Sequence, residues 1–375
     1  MKFLRIGGDR RLINVLQPGT FTTVQDFGRF GYQRFGVPES GAVDKLALRC
    51  ANLLVGNPEN SPLLESTLFG PRLQFDSDTI ISITGGDLGP LLDQKPIRNW
   101  SAINVAAGSV LSFEGPRSGA RAYISFSGGL SCENLEVVMG STSTYVPGTF
   151  GGVEGRALRQ GDTLYMGEPS SSGVAVQRIE NPPTYTGNSL LRILLGPQHN
   201  LFPEESLAIL SEGQYTVSVN SDRMGIRLEG SPLVHNDSAD VVSDGTAFGA
   251  IQVPGDGLPI ILSADRGTTG GYAKIGTVIT ADHAKMAQLV PGNTISFNIV
   301  TKSAALKALL EQEILVGSLK HNSELPIEVL AGSESISVAT EEGELITFPK
   351  GDKTYVANVR SGDSSEEIEV ELRGP

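Results

Sequence analysis

Between Gly249 and Asp282 the chain reads GAIQVPGDGLPIILSADRGTTGGYAKIGTVITAD. Two apolar runs, Ala250 to Val253 and Leu258 to Leu262, flank a Pro-Gly-Asp-Gly turn and are too short for helices. A polar loop, Ser263 to Tyr272, follows directly, carrying Asp265, Arg266, Thr268, Thr269 and three glycines. Short strands joined at tight corners are what such a segment can build. The residues alone leave two readings open. Asp265 and Arg266 satisfy turn amides at a barrel corner, or the loop is ordered for a function, since ordering glycine-rich polar backbone is costly.

The same texture runs through most of the chain. The 45 glycines follow no collagen-like period, and aromatic residues are scarce, which predicts many turns between short strands. A length of 375 residues with ordinary apolar content allows two or more globular domains. The net charge of -13, without a basic cluster, argues against a nucleic-acid partner. Cys50 and Cys132 form no C-x-x-C, so cysteine-based metal or redox chemistry is not expected. No apolar run approaches a membrane span, and Met1 to Arg5 leads into no signal-like stretch; the expectation is a cytoplasmic protein.

Along the chain, strands are predicted at Leu12 to Leu16, Phe21 to Val24, Ile80 to Thr84, Ser109 to Phe113 and Arg121 to Phe126. Val43, Leu46, Ala47, Cys50, Leu53 and Leu54 recur at helical spacing, with Ser40 as the expected cap, Asp44 in the first turn and Gly56 as terminator. A second helix is predicted from Pro203 to Leu210, with proline at its first position, and later strands at Tyr215 to Val219, Ile226 to Glu229 and Thr294 to Asn298. The segment Ile81 to Gly89 echoes Val217 to Gly225, and Ala122 to Gly129 echoes Ile260 to Arg266, in order and similar spacing. We therefore expect two related β-domains, 1–172 and 189–302, joined by a polar connector, 173–188, and followed by an acidic C-terminal module, 303–375. That module starts with a helix, Ser303 to Glu313, and continues as short strands. A biotin carrier domain is small and all-β, but neither Lys350 nor Lys353 has a flanking methionine, so biotin attachment to this chain is not expected.

None of the four histidines lies in an H-x-x-x-H arrangement, and no zinc site, G-x-S-x-G elbow or G-x-x-x-x-G-K-[ST] loop is present. No metal site is expected. Three polar clusters remain as candidates: Gln25, Arg29, Ser40 and Asp44; Asp222 and Arg223 within Ser221 to Gly225; and Gln252, Asp256, Asp265, Arg266, Thr268, Thr269 and Lys274. Arg29, Arg223 and Arg266 can each clamp a carboxylate or phosphate, and the 267–271 backbone can present amides to an oxyanion. Equally, each arginine can pair with its neighbouring aspartate, Asp26, Asp222 or Asp265, and pin its own loop.

Gln25 to Tyr32 with Gly36 to Asp44 (QDFGRFGY and GVPESGAVD) resembles the opening signature of the family of 5-oxoprolinase C subunits, also described as allophanate hydrolase subunit 2 or biotin-dependent carboxyltransferase. Leu64 to Pro71, Ser221 to Gly225 and the 249–282 stretch look like later signatures, so the resemblance spans roughly residues 12 to 300. It implies a mainly β fold of two tandem cyclophilin-like β-barrel domains with a few short helices. It also implies partners that resemble the A and B subunits of the same family complex, and ATP-dependent opening of 5-oxoproline to L-glutamate. The alternatives it carries are a urea or allophanate-type carboxyltransferase or amidohydrolase component, or a non-catalytic antagonist of a kinase-inhibitor partner. On this reading Asp44 and Asp265 are base or orienting acid, and Lys274 offsets charge on an intermediate. Gln25, Arg29, Ser40, Asp222, Arg223, Gln252, Arg266, Thr268 and Thr269 contact a small amide or lactam substrate. The chain departs from the family pattern with Gly267 for Gln, Ala273 for Pro and Val43 for Met.

Overall fold

The structure, a computed structural model, describes residues 11–169 and 178–317, Leu319, and the backbone of five short strands between 327 and 368. The chain divides into two compact units, Met1–Ile299 and Val300–Pro375. The first contains both β-domains. Its opening half runs β1 (Arg11–Gln17), β2 (Phe21–Gln25), α1 (Lys45–Leu54), β3 (Leu63–Thr67), β4 (Arg72–Phe75), β5 (Thr79–Asp87), β6 (Pro90–Leu92), β7 (Lys95–Pro96), β8 (Ser101–Val105), β9 (Val110–Phe113), β10 (Ser118–Phe126) and β11 (Thr163–Met166). These strands form two sheets, ordered β11-β1-β4-β9-β6-β7 and β2-β3-β10-β5-β8.

Strand alternation explains how the two sheets share one core. Ile13, Val15, Leu73, Phe75, Leu111 and Leu164 point inward from one sheet, and Val24, Leu64, Ile81, Ile83, Ala122, Ile124 and Phe126 from the other. The intervening residues of the second sheet face α1. Ser82 and Thr84 donate to the helix carbonyls of Ala51 and Ala47, each at 2.6 Å, and Ser125 donates to Asn52 at 2.6 Å. Each such buried bond contributes about 1 kcal/mol net.

The second half runs β12 (Asn188–Leu195), α2 (Glu204–Glu212), β13 (Tyr215–Val217), β14 (Gly225–Glu229), β15 (Asp240–Gly245), β16 (Ala250–Val253), β17 (Ile260–Leu262), β18 (Thr269–Val278), α3 (His283–Ala287) and β19 (Thr294–Ile299). Seven strands close into a barrel, β12-β19-β13-β14-β17-β16-β18 and back to β12, while β15 adds to β18 outside the ring. Closure removes the free sheet edges within the ring. The expected mainly β fold with tandem cyclophilin-like barrels is therefore what this unit contains, the second closed and the first built as two sheets around one core.

The second unit has its own elements: α4 (Lys302–Gly317), β20 (Ile327–Glu328), β21 (Ile336–Ala339), β22 (Leu345–Phe348), β23 (Val356–Ser361) and β24 (Ser364–Ile368). They pair as β20-β23-β24 and β21-β22. Lys350 and Lys353 lie outside the described residues, as do residues 173–177 of the connector.

Several local expectations change. Helix α1 is capped by Asp44, whose Oδ1 accepts from the Ala47 amide at 2.9 Å, and not by Ser40. Ser40 and Gly41 both have positive φ, 54° and 84°, so the backbone cannot enter a helix there. Pro203 sits at the N-cap of α2 rather than its first turn. The polar loop is shorter than predicted, because Thr269 to Tyr272 belong to β18 and pair with β15. The echoed segments differ in pairing: β5 pairs β10 directly, whereas β14 lies between β13 and β17. The shared feature is closure of last strand on first, antiparallel for β11 with β1 and parallel for β19 with β12.

Candidate active site

The two barrels meet through charge. Glu65 on β3 and Tyr123 on β10 are direct cross-strand partners on the face away from the core. The Tyr123 hydroxyl donates to Glu65 Oε2 at 2.8 Å and accepts from the Asp44 amide at 2.8 Å. Arg223, from the β13–β14 turn of the second barrel, reaches this carboxylate with Nη1. Its Nε lies 2.9 Å from Asp265 Oδ2, and its Nη2 lies 3.2 Å from Asp265 Oδ1 and 2.7 Å from the Gly41 carbonyl. Burial alone would lower the affinity of this guanidinium for its proton, but Asp265 and Glu65 more than offset that and hold it charged. With both carboxylates and a carbonyl already served, Arg223 fixes the junction.

Asp44 is fully buried at the same junction. Its Oδ2 accepts from Gln288 Nε2 at 3.0 Å and from the Tyr185 hydroxyl at 3.3 Å. Burial raises its pKa, and the donors from Ala47, Gln288 and Tyr185 only partly restore the charged form. Gln288, at the end of α3, also accepts from the Ala120 and Arg121 amides at 3.0 and 2.9 Å. Val43, Ala264 and Ala287 form a small apolar cluster beside it.

Next to this junction lie buried polar loops with unused donors. Arg29 is 1% exposed, yet among the described residues only its Nη2 has a hydrogen-bond partner, the Ser143 carbonyl; Nε and Nη1 have none there. Asp26, the neighbour that could have neutralised it, spends its carboxylate on the Ser141, Thr142 and Ser143 hydroxyls and the amides of Gly28 and Thr142. Burial lowers the Arg29 pKa against the pull of Asp26, Asp265 and Glu136. The Phe150 ring lies 4.8 Å from its guanidinium carbon. The buried Ser40 hydroxyl likewise has no partner among the described residues, nor has Gln25 Oε1, while Gln25 Nε2 donates to Thr23 and Thr144. Glycines let these loops touch: a Cβ at Gly28 would stand 2.6 Å from the Glu39 carbonyl, and one at Gly41 2.6 Å from the Phe27 carbonyl. Arg266 lines the same region but is engaged, with Nη2 3.2 Å from Glu39 and Nε 3.3 Å from the Thr246 carbonyl. Lys45 stacks its ammonium 4.9 Å over the Phe30 ring, and burial lowers its pKa against the charge of Glu39.

The third predicted cluster is divided. Gln252 and Lys274 are direct neighbours across β16 and β18, both buried. Thr268 is half-buried and Thr269 exposed at the loop rim, and Asp256 accepts from Leu258 in the turn at 3.0 Å. Asp222 stands apart, exposed, with its carboxylate on the Met224 and Gly225 amides. None of the three arginines hydrogen-bonds its sequence-adjacent aspartate. Glu65, Tyr123, Gln288, Lys45 and Gln198 were not anticipated. Only Glu65 carried a signal, a carboxylate inside the apolar-flanked strand Leu63 to Thr67. Among the described residues, no group of three His, Cys, Asp or Glu could hold a metal ion, and no helix is long and apolar enough to cross a membrane.

Fold and junction together define a tandem-barrel protein whose two β-domains are tied by buried charge, with unused buried donors beside the junction. The chain belongs to the family of the carboxyltransferase domain, subdomain A and B, whose model matches residues 35–299. It is 36% identical over 313 residues to the C subunit of 5-oxoprolinase from Haemophilus influenzae, covering 82% of this chain and 98% of that protein. It is also 36% identical over 302 residues to the C subunit of 5-oxoprolinase from Escherichia coli, covering 80% and 96%. The crystal structure of K. lactis urea amidolyase is similar at a TM-score of 0.77 and 31% identity, covering 89% of this chain and 22% of that one.

Proposed function

We propose that this chain is one component of an ATP-dependent 5-oxoprolinase that opens 5-oxoproline to L-glutamate in the cytoplasm, together with partners resembling the A and B subunits of such a complex. The observation that carries the reading is Arg29, a buried guanidinium with two nitrogens that have no partner among the described residues. A buried cation with open donors calls for an anionic oxygen ligand, and 5-oxoproline brings a carboxylate. Urea brings none, which favours the lactam over the urea-type alternative. Near-complete coverage of the two 5-oxoprolinase relatives supports the same choice.

A five-membered lactam is a stable amide. Transfer of the ATP γ-phosphoryl group to its oxygen releases ADP and turns the ring carbon into an electrophile. Water then adds at that carbon, the ring C–N bond breaks as the nitrogen takes up a proton to leave γ-glutamyl phosphate, and a second water displaces inorganic phosphate to give glutamate. ATP enters as co-substrate of the assembled complex, and this chain carries no covalent biotin. Within it, Arg29 and Ser40 hold the carboxylate and Gln25 lines the same pocket. Asp44 and Asp265, with both oxygens engaged, orient the cleft walls. Arg266, Thr268 and Thr269 border the entrance, and Lys274 offsets charge that develops on the activated intermediate.

The test is glutamate release from 5-oxoproline with ATP by this chain and its two partners. Release that disappears with Arg29→Met, while the melting temperature holds, supports the reading. No release with all partners present overturns the activity, and wild-type release by Arg29→Met overturns the site. A carboxyl-transfer reading draws on the family description and on the urea amidolyase relative. It predicts dependence on bicarbonate and on a biotinylated partner in the same assay.

A further inference from the structure

Gln252 and Lys274 sit where strand alternation would place them outside the closed barrel. Their neighbours Ile251, Val253, Ala273 and Ile275 all enter the barrel core. The two polar residues therefore face the opposite way, yet Gln252 is only 7% exposed and Lys274 only 4%. They are register partners across β16 and β18, beside a bulge between Ile251 and Gln252. Bulges re-aim side chains, and this one falls beside Gln252.

Neither end group has a hydrogen-bond partner among the described residues: Gln252 Nε2 and Lys274 Nζ both donate to none. The carboxylate nearest the ammonium, Asp244 on β15, stands 3.6 Å away and is more than half exposed. The surroundings hold the pair in place without satisfying it. Gln198 accepts from the Lys274 amide at 3.1 Å and so engages the backbone, not the ammonium. A Cβ at Gly270 would overlap the Gln252 amide, so glycine there leaves the amide its room. Thr246, whose carbonyl takes Arg266 Nε, borders Gly270 on the other side.

We infer that Gln252 and Lys274 form a second, separate oxyanion subsite, which takes a carboxylate or phosphoryl group of a small molecule. The ammonium supplies charge and the amide supplies direction, so that two oxygens of one group accept one donor each. This subsite differs from Arg29 and Ser40 in its donors and in the barrel that carries it. The inference rests on the reading above for the ligand's identity, but its test uses neither ATP nor partners.

The experiment records the side-chain amide resonances of the full chain by 15N NMR during titration with inorganic phosphate and, separately, with acetate. The Gln252 amide shifts saturably with at least one anion. Lys274→Met weakens that binding by at least about tenfold, and Gln252→Glu, which replaces the donor by a carboxylate, abolishes the anion-dependent shift of the Lys274 backbone amide recorded in the same spectra. Response to phosphate alone assigns a phosphoryl group, and response to acetate assigns a carboxylate. Lys274→Met keeps a melting temperature near wild type, because its ion pair with the half-exposed Asp244 at 3.6 Å contributes little to stability. A Gln252 amide that responds to neither anion overturns the proposal. So does a large fall in melting temperature for Lys274→Met that Asp244→Asn reproduces, since Lys274 would then be a strut for β15. Failure of the glutamate-release assay leaves these binding results intact, so the two readings fail separately.

Discussion

Arg223 chelates Asp265, 42 residues further along the chain, with Nε 2.9 Å from Oδ2 and Nη2 3.2 Å from Oδ1. Its other terminal nitrogen binds Glu65 of the first barrel, 158 residues earlier. One guanidinium thus neutralises two buried carboxylates from different barrels. Removing it strands both, and breaking a buried pair in this way costs about 3–5 kcal/mol. We expect Arg223→Met to lose stability on that scale in denaturant unfolding. Arg223→Lys should lose most of it too, since an ammonium cannot reproduce the forked geometry. A loss under about 1 kcal/mol for Arg223→Met would remove the junction role.

Gln288 makes the neutral counterpart of that tie. Its carbonyl oxygen accepts two first-barrel amides, and its amide donates to Asp44 and to the Arg121 carbonyl at 3.0 Å each. Gln288→Ala leaves these buried groups unpaired, and stability should fall by about 1–3 kcal/mol or somewhat more. Gln288→Glu should fare no better, because it sets a second carboxylate against Asp44. A Gln288→Ala protein that unfolds with the wild-type midpoint would contradict this account.

The pH dependence of stability should show two opposed arms. Burial pushes His283 down from 6.5 to about 4, and its Nε2 lies 3.1 Å from the Val278 carbonyl. Between those values the unfolded chain binds the proton and the native chain does not, so stability is lost as pH falls from 6.5 towards 4. Asp44 acts in the other sense. Its native pKa lies above 3.8, so above 3.8 the native state holds a proton the unfolded chain has released, and stability declines as pH rises through that window. His283→Phe should remove the first arm, whose slope is limited to about 1.4 kcal/mol per pH unit. Unfolding curves collected from pH 4 to 7 for wild type and this variant measure it; identical slopes would exclude His283 as the source.

Strand positions were legible because alternation of Ile81, Ser82, Ile83 and Thr84 reports directly which side faces a core. Charge partners were not. Sequence adjacency suggested Asp265 with Arg266 and Asp222 with Arg223, but adjacent strand or turn residues point apart, and the partners come from distant elements. The start of α1 was misplaced for a backbone reason: positive φ at Ser40 and Gly41 overrides the capping preference of serine. Residues such as Gln288 gave no signal, since a buried glutamine and an exposed one look alike in sequence.

Gly267, where the family pattern has glutamine, gives a last test. Its backbone lies outside the left-handed region, and an added Cβ would meet only the Thr269 carbonyl, at 3.3 Å. The position is exposed, so a side chain has room to leave the surface. Replacing a glycine whose conformation suits other residues restricts the unfolded chain and typically adds about 0.4–1 kcal/mol. Gly267→Ala should therefore raise stability slightly, provided the Thr269 carbonyl yields by a few tenths of an ångström. Gly267→Gln should do the same and add an amide at the loop rim beside Thr268. If that loop borders the substrate, the glutamine variant should change KM for 5-oxoproline in the reconstituted assay while the alanine variant does not. Equal kinetics for both would place the 267 loop away from the substrate and leave Arg29 and Ser40 as the binding wall.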